Sequence, residues 1–253
     1  MNKMDFSLCM YKDICKALQS HKTFTVLSFL TENPKPPYIV LRHDVDRNIN
    51  NALKMAELEH EFEIRSTYYF RYPKTFDVTV MKKISCLGHE IGYHYEVLDK
   101  AKGDIKKAIE LFQKELKIFR EFFLVDTVCM HGNPLTVWDG KDIWKAVDFK
   151  DYGLCGEAFL SVKGITYLTD TGRNWNGANN LKDRVSQANN NNSFKSTVDV
   201  IKFLQDTKEN IYFNVHPERW GADFAGWLLS FLRDKFFNLC KRAIKRLRPN
   251  GIK

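Results

Sequence analysis

Short runs of β-forming residues alternate with amphipathic stretches along most of the chain, and this alternation constrains the fold more than any other feature. The predicted strands are 38–43, 66–70, 89–96, 127–131, 165–169 and 211–215. The predicted helices between them are 49–58, 76–86, 103–123, 142–147 and 197–204. The alternation predicts an α/β fold with a parallel sheet. About six β/α units fit a barrel related to the (β/α)8 type, and an open doubly wound sheet is the alternative.

The chain divides into three predicted segments: a lead-in helix and connector (1–35), the barrel (36–220) and a C-terminal helix (221–253). Residues 172–193 are rich in Asn and Gly without periodicity, which predicts a long loop. No run of about 18 apolar residues is present, so we expect no membrane span. The first residues lack the apolar core of a secretory signal, and the six scattered cysteines suit reduced thiols. We therefore expect a cytoplasmic location.

Polar side chains end most of the predicted strands. The residues at these strand ends are Asp44, Asp46, Glu96, His94, His131, Asp170 and His216. Because parallel strands place their carboxyl ends on one face, the set predicts a functional site there. Asp44 and Asp46 share a strand face, and a bound cation is the simplest compensation for two close carboxylates. Taken alone, this Asp pair could equally cap the following helix; the other strand ends favour a site.

The order of these motifs resembles the polysaccharide deacetylase (NodB-homology) superfamily. The matching motifs are HDVD (43–46), GHEIGYHYE (88–96), MHGNP (130–134), DTGRNW (170–175) and HPERW (216–220). The resemblance covers about residues 38–220, and GHEIGYH is its most specific part. It implies a distorted (β/α)7 TIM-like barrel and a metal-dependent hydrolase of carbohydrate metabolism. Such an enzyme would remove an acyl group from an N-acetylated or N-acylated sugar in a polysaccharide or glycan precursor.

The resemblance also implies a role for individual residues. Asp44 would be the general base, and His216 would be the general acid that protonates the leaving amine. Asp46 and His94 would bind the metal. Further roles would fall to Asp170 and Arg173, which would orient and tune the base or acid, and to Trp175 and Trp220, which could form apolar walls for a sugar ring.

One position departs from the family pattern. The family usually has a second metal-binding His four residues after the first, and Leu98 stands there. His131 is the favoured replacement because it ends a neighbouring strand, and Glu96 is second because it shares a strand face with His94. His43 and His89 point to the opposite strand face and are excluded on that ground, and His21 and His60 lie outside the strand ends.

The residue types suit a divalent metal, with zinc as the default and other first-row metals open. A metal with one carboxylate and two imidazole ligands keeps a position for water and polarises an acyl carbonyl. The missing ligand at Leu98 leaves an alternative, a degenerate carbohydrate-binding protein without turnover. A phosphohydrolase built on the Asp-x-Asp pattern fits less well, because it leaves GHEIGYH unexplained.

The C-terminal segment is strongly basic. Residues 233–253 carry eight Lys and Arg against one Asp, so they account for +7 of the formal charge of +8. The remaining body is near neutral, which argues against nucleic acid as a partner. Apolar residues recur at helical spacing from 224 to 247, which predicts a basic amphipathic helix. Its apolar stripe either packs on the barrel or lies peripherally on the anionic inner face of a membrane, or its first half docks and its basic second half reaches lipid.

Overall fold

The structure is a computed structural model that describes residues 4–177, 185 and 194–247. An all-parallel sheet is curled into a half-barrel and is flanked by helices. Its strands are β1 (Thr23–Phe24), β2 (Ile39–Val45), β3 (Thr67–Phe70), β4 (Glu90–Tyr95), β5 (Thr127–Met130), β6 (Gly156–Glu157), β7 (Thr166–Thr169) and β8 (Ile211–Val215). Seven of them pair in the order β6-β5-β4-β3-β2-β8-β7, and β1 pairs with β2. Within the described residues β6 and β7 do not pair, so the sheet is not a closed barrel.

The helices follow the strands in the order that the sequence predicts. They are α1 (Leu8–Leu18), α2 (Val26–Glu32), α3 (Ile49–Glu61), α4 (Val78–Cys86), α5 (Val97–Lys100), α6 (Ile105–Arg120), α7 (Ala158–Ser161), α8 (Thr197–Asp206) and α9 (Phe224–Leu247). The predicted helix at 142–147 is a 3-10 helix at Gly140–Lys145. The elements β1, α2, α5, β6 and α7 were not predicted. Two strands of two residues each are too short to show an alternating pattern.

Polar caps explain where several helices begin. The Asp104 side chain accepts the backbone N–H of Lys107 at the start of α6. Ser196 and Asp199 form a capping box at the start of α8. These side chains satisfy N–H groups that have no partner within the helix, so they fix the points at which the chain leaves the sheet and turns into helix.

The central strands are buried throughout, and helices from both ends of the chain cover them. All seven residues of β2 are buried. The lead-in helix α1 packs against α8, and its Ile14 belongs to the same core cluster as Leu204 and Phe213. Gly92 in β4 is needed for close packing, because a Cβ atom there would lie 2.3 Å from the Tyr69 ring. The lead-in therefore shares the core of the sheet.

Parts of two predicted segments fall outside the described residues. These are 178–184 and 186–193 of the predicted loop, and 248–253 of the C-terminal segment. Among the helices that are described, none combines the length and apolar character that crossing a membrane requires.

Candidate metal centre and active site

Five of the predicted site residues line one cleft at the carboxyl edge of the sheet. These residues are Asp44, Asp46, His94, His131 and His216. Parallel pairing brings them together, since β2 lies between β3 and β8, and β4 lies between β3 and β5. The carboxyl ends of β2, β4, β5 and β8 thus bring side chains to the same small volume.

Asp46 lies between two imidazoles. Its Oδ1 atom is 3.4 Å from Nε2 of His94 and 3.3 Å from Nε2 of His131. The same oxygen is buried and accepts no hydrogen bond of good geometry from the described part of the chain. Two ligand atoms on one tetrahedral zinc ion, with bonds of about 2.0 Å, lie about 3.3 Å apart. The distance from Asp46 to each imidazole therefore matches the spacing of two ligands on one metal ion, and the unsatisfied carboxylate oxygen is suited to binding a cation.

The two imidazoles are held in orientations that suit a metal ligand. The Nδ1 atom of His94 is 3.0 Å from the carbonyl oxygen of Cys129, so a proton on Nδ1 leaves the Nε2 lone pair facing Asp46. Burial lowers the pKa of His131 to about 3, and Arg71 adds to this effect, although the Asp46 carboxylate opposes it. His131 is therefore neutral at physiological pH, as a metal-bound imidazole must be.

Glu96, the alternative third ligand, lies behind His131. Its Oε2 atom is 3.6 Å from Nδ1 of His131 and pairs with the Arg71 guanidinium. Lys100 lies 3.8 Å from its other oxygen. Glu96 is thus engaged by two cations, which makes it a poorer candidate for a metal ligand than His131.

Asp44 has different surroundings from Asp46. One of its oxygens, Oδ2, accepts a hydrogen bond of 3.0 Å from Asn214 and lies 3.4 Å from the Arg42 guanidinium. The Cys129 thiol lies 3.6 Å from the other oxygen. Burial raises the pKa of Asp44, but Arg42 and the nearby imidazoles outweigh burial, so the net pKa lies below its ordinary value. Asp44 is therefore an ionised carboxylate with its own protein partners.

A second group of potential ligands overlaps the first. Donor atoms of Asp44, His94 and Cys129 all lie within 4.8 Å of one another and are buried. This Asp-His-Cys group is close enough to bind a metal. Its thiol, however, also accepts a hydrogen bond of 2.9 Å from Arg42, the same cation that pairs with Asp44.

His216 and Asp170 form a hydrogen-bonded pair across the cleft. Nδ1 of His216 is 2.6 Å from the Asp170 carboxylate, and Nε2 of His216 lies 3.9 Å from Asp44. Burial and the adjacent Arg219 both disfavour the imidazolium, but Asp170 outweighs them, and the pKa of His216 is raised. Burial opposes ionisation of Asp170, yet Arg219 and His216 lower its pKa to about 2. The pair therefore favours a protonated imidazole facing Asp44.

Three predicted roles are corrected by the structure. The Arg173 guanidinium was predicted to orient and tune the base or acid, but it pairs with Asp234 of α9 at 2.9 Å. Arg219 takes the predicted position instead and donates to Asp170 at 2.7 Å. Trp175 and Trp220 are not walls of a sugar site, because they are 3% and 0% exposed and pack in the core.

Three residues that contact the site do not lie at strand ends and were therefore not predicted. These are Arg42, Cys129 and Asn214. Each lies two positions before a predicted site residue on the same strand, so alternation places it on the same face, one layer deeper. The same two-residue alternation, followed one step back along each strand, would have predicted all three residues from the sequence.

The arrangement combines a candidate cation site with an ionised carboxylate and an imidazole whose pKa is raised. A wider cleft of about 290 Å³ begins at Asp46 and His131 and continues to α9. The cleft is large enough for part of a sugar-sized molecule. In comparisons with protein-family profiles, with curated proteins and with solved structures, no match to the chain was found.

Proposed function

We propose that the protein is a metal-dependent hydrolase that removes an acyl group from the nitrogen of an amino sugar. The observation that carries the proposal is the unpartnered Asp46 oxygen between His94 and His131. Asp44 and the His216–Asp170 pair stand beside it, which supplies a proton acceptor and a proton donor around one cleft. The motif resemblance to polysaccharide deacetylases, with their (β/α)7 barrel, suggests the amide bond and the sugar.

Asp46, His94 and His131 would hold a divalent cation, with zinc as the first candidate. This set is preferred over Asp44, His94 and Cys129, because Arg42 already engages both the Asp44 carboxylate and the Cys129 thiol. When bound, the metal supplies Lewis-acid polarisation of the acyl carbonyl and lowers the pKa of a water molecule.

The protein's own residues then move the protons. Asp44 accepts a proton from the attacking water, and Asn214 and Arg42 hold its carboxylate in place and ionised. The lowered pKa of Asp44 makes it a weak base, so it depends on a water that is already acidified. His216, kept protonated by Asp170, donates a proton to the departing amine nitrogen. Both transfers occur within one buried cleft.

Metal content and hydrolysis of three variants test the proposal. The purified protein should contain about one equivalent of metal and release acetate from a soluble N-acetylglucosamine oligomer. Asp46→Asn should lose the metal and the activity. Asp44→Asn should keep the metal and lose activity by about 10²-fold or more, since it removes the proton acceptor. His60→Ala is the matched control, because His60 is exposed and outside the cleft.

Two results would contradict the assignment. If the unmodified protein holds no metal after incubation with zinc, the alternative of a carbohydrate-binding protein without turnover is favoured. If Cys129→Ser and Asp44→Asn lose the metal while Asp46→Asn keeps it, the metal belongs to the Asp-His-Cys group.

A further inference from the structure

The helix α9 leaves a continuous apolar surface uncovered. The exposed residues, here called the α9 apolar stripe, are Phe224, Leu228, Leu229, Leu232, Phe236 and Leu239. At 3.6 residues per turn they fall on one side of the helix. Leu229 and Phe236 are each 63% exposed. Trp227 and Phe231 of the predicted apolar residues are partly buried, so packing on the barrel accounts for only part of the prediction, and the exposed part needs another explanation.

The opposite side of α9 is fixed to the body of the protein. Asp234 pairs with Arg173, and Ser230 donates to the carbonyl oxygen of Glu218. Asn238 donates to the carbonyl oxygen of Gly172. These polar contacts lie on the loops that follow β7 and β8, so they hold α9 beside the carboxyl edge of the sheet. Because these contacts fix the opposite side of α9 to the body, the stripe faces away from the protein.

Basic residues border the stripe. Arg233 and Lys235 are exposed and lie on opposite flanks of it. Residues 233–253 carry a formal charge of +7 in total. A second copy of the chain would bring two such basic segments together, which is unfavourable. An anionic lipid surface instead complements the charge and covers the apolar side chains at the same time.

The candidate site and α9 share one cleft. Asp46 and His131 line the cleft of about 290 Å³ together with Phe237, Asn238 and Lys241 of α9. A molecule that reaches from the site along this cleft arrives at the helix. If α9 lies on a bilayer, the cleft opens close to the lipid headgroups.

We propose that α9 is an interfacial helix that seats the protein on an anionic phospholipid bilayer and places the cleft at the headgroup level. Resting on the proposed function, the inference identifies the substrate class as N-acyl amino sugars attached to a lipid that stays in the bilayer. The apolar stripe enters the headgroup boundary, and Arg233 and Lys235 contact lipid phosphates. The sugar of such a lipid then enters the cleft from the α9 side.

The first experiment measures sedimentation of the full chain with vesicles, without any substrate. The vesicles are phosphatidylcholine alone, or phosphatidylcholine with one quarter phosphatidylglycerol. We expect binding to the anionic vesicles at about 0.1 M salt, and weaker binding at about 1 M salt, where charges are screened beyond about 3 Å. Leu229→Gln with Phe236→Gln should weaken binding about tenfold or more, because both side chains leave the interface.

A matched control carries the same two substitutions elsewhere. Phe122 and Leu124 are 44% and 89% exposed and precede β5, at the opposite edge of the sheet. Phe122→Gln with Leu124→Gln should bind vesicles like the unmodified protein. The inference is overturned if the unmodified protein does not bind the anionic vesicles, if both double variants lose binding equally, or if the α9 variant binds normally. It is also overturned if the stripe substitutions instead convert a dimer into a monomer without affecting vesicle binding.

Hydrolysis separates this inference from the proposed function. The α9 double variant should hydrolyse the soluble N-acetylglucosamine oligomer like the unmodified protein, and should lose at least tenfold on an N-acetylglucosaminyl lipid held in anionic vesicles. Vesicle binding without hydrolysis of either substrate would contradict the proposed function and the substrate class that rests on it, but not the interfacial role of α9. Hydrolysis of the soluble oligomer without vesicle binding would contradict the membrane inference alone.

Discussion

Replacement of Glu59 by Gln tests whether a buried charge behind the site holds the central strands in place. Glu59 is fully buried on α3. Its carboxylate is 2.7 Å from Nε2 of His43 on β2 and accepts hydrogen bonds from Tyr68 at 2.9 Å and Ser66 at 2.6 Å. Tyr11 of α1 also donates to it. The Glu59 side chain therefore links the helices α1 and α3 to the strands β2 and β3.

The pKa of Glu59 gives the size of the effect. Burial raises the pKa, but His43, His89 and the hydrogen bonds outweigh burial, and the pKa falls from 4.5 to about 2. A lowered pKa in the folded state means that the ionised carboxylate stabilises the fold above pH 4.5, and that this stabilisation is lost as the pH falls towards 2. At about 1.4 kcal/mol per pKa unit, the contribution is about 3 kcal/mol.

Urea unfolding of Glu59→Gln at two pH values is the assay. Near neutral pH the variant should lose about 3 kcal/mol of unfolding free energy, and by about pH 3.5 the gap to the unmodified protein should shrink by about 1.4 kcal/mol. Glu110→Gln, at an exposed position of α6, should change stability by less than about 0.5 kcal/mol at either pH. A gap below about 1 kcal/mol, or one that does not change on acidification, would refute the reasoning.

Two further substitutions test the site and its connection to α9. Asp170→Asn removes the charge that raises the pKa of His216, so soluble-oligomer hydrolysis should fall by about 10²-fold or more and its alkaline limb should move to lower pH. Metal content should stay unchanged, and its loss would show that the pair serves the metal centre instead. Arg173→Gln breaks the ion pair with Asp234, so trypsin should release the C-terminal segment faster, as followed by intact mass, while the remaining body stays resistant. An unchanged cleavage rate would show that other contacts hold α9.

The sequence predicted the sheet well because its signals are local. The strand 211–215 is found as Ile211–Val215, and the helix predicted at 103–123 is found at Ile105–Arg120. Periodicity over a few residues decides such elements, and chain direction then places their carboxyl ends together. The same logic excluded His43 and His89, which the structure places on Glu59 and away from the cleft.

The corrected residues depended on contacts between distant parts of the chain. Arg173 follows β7 closely in sequence, but its partner Asp234 lies on α9, 61 residues away. The indole of Trp220 donates a hydrogen bond to Asp170 and also packs in the core. Neither the residue type nor the HPERW motif therefore predicts whether Trp220 is exposed. For α9, spacing identified the apolar residues but not which of them would be covered.

The two carboxylates of the first motif illustrate how environment separates residues that the sequence makes equivalent. Asp44 and Asp46 have the same chemistry and the same strand face, yet Asp44 has Arg42 and Asn214 as partners, whereas Asp46 has an unsatisfied oxygen facing two imidazoles. A metal placed on Asp44 would have to compete with a buried guanidinium, which is costly to leave unpaired. A metal placed on Asp46 would satisfy an oxygen that otherwise lacks a partner. The difference in partners, and not the order along the chain, is therefore the reason for which we propose metal binding at Asp46 and proton transfer at Asp44.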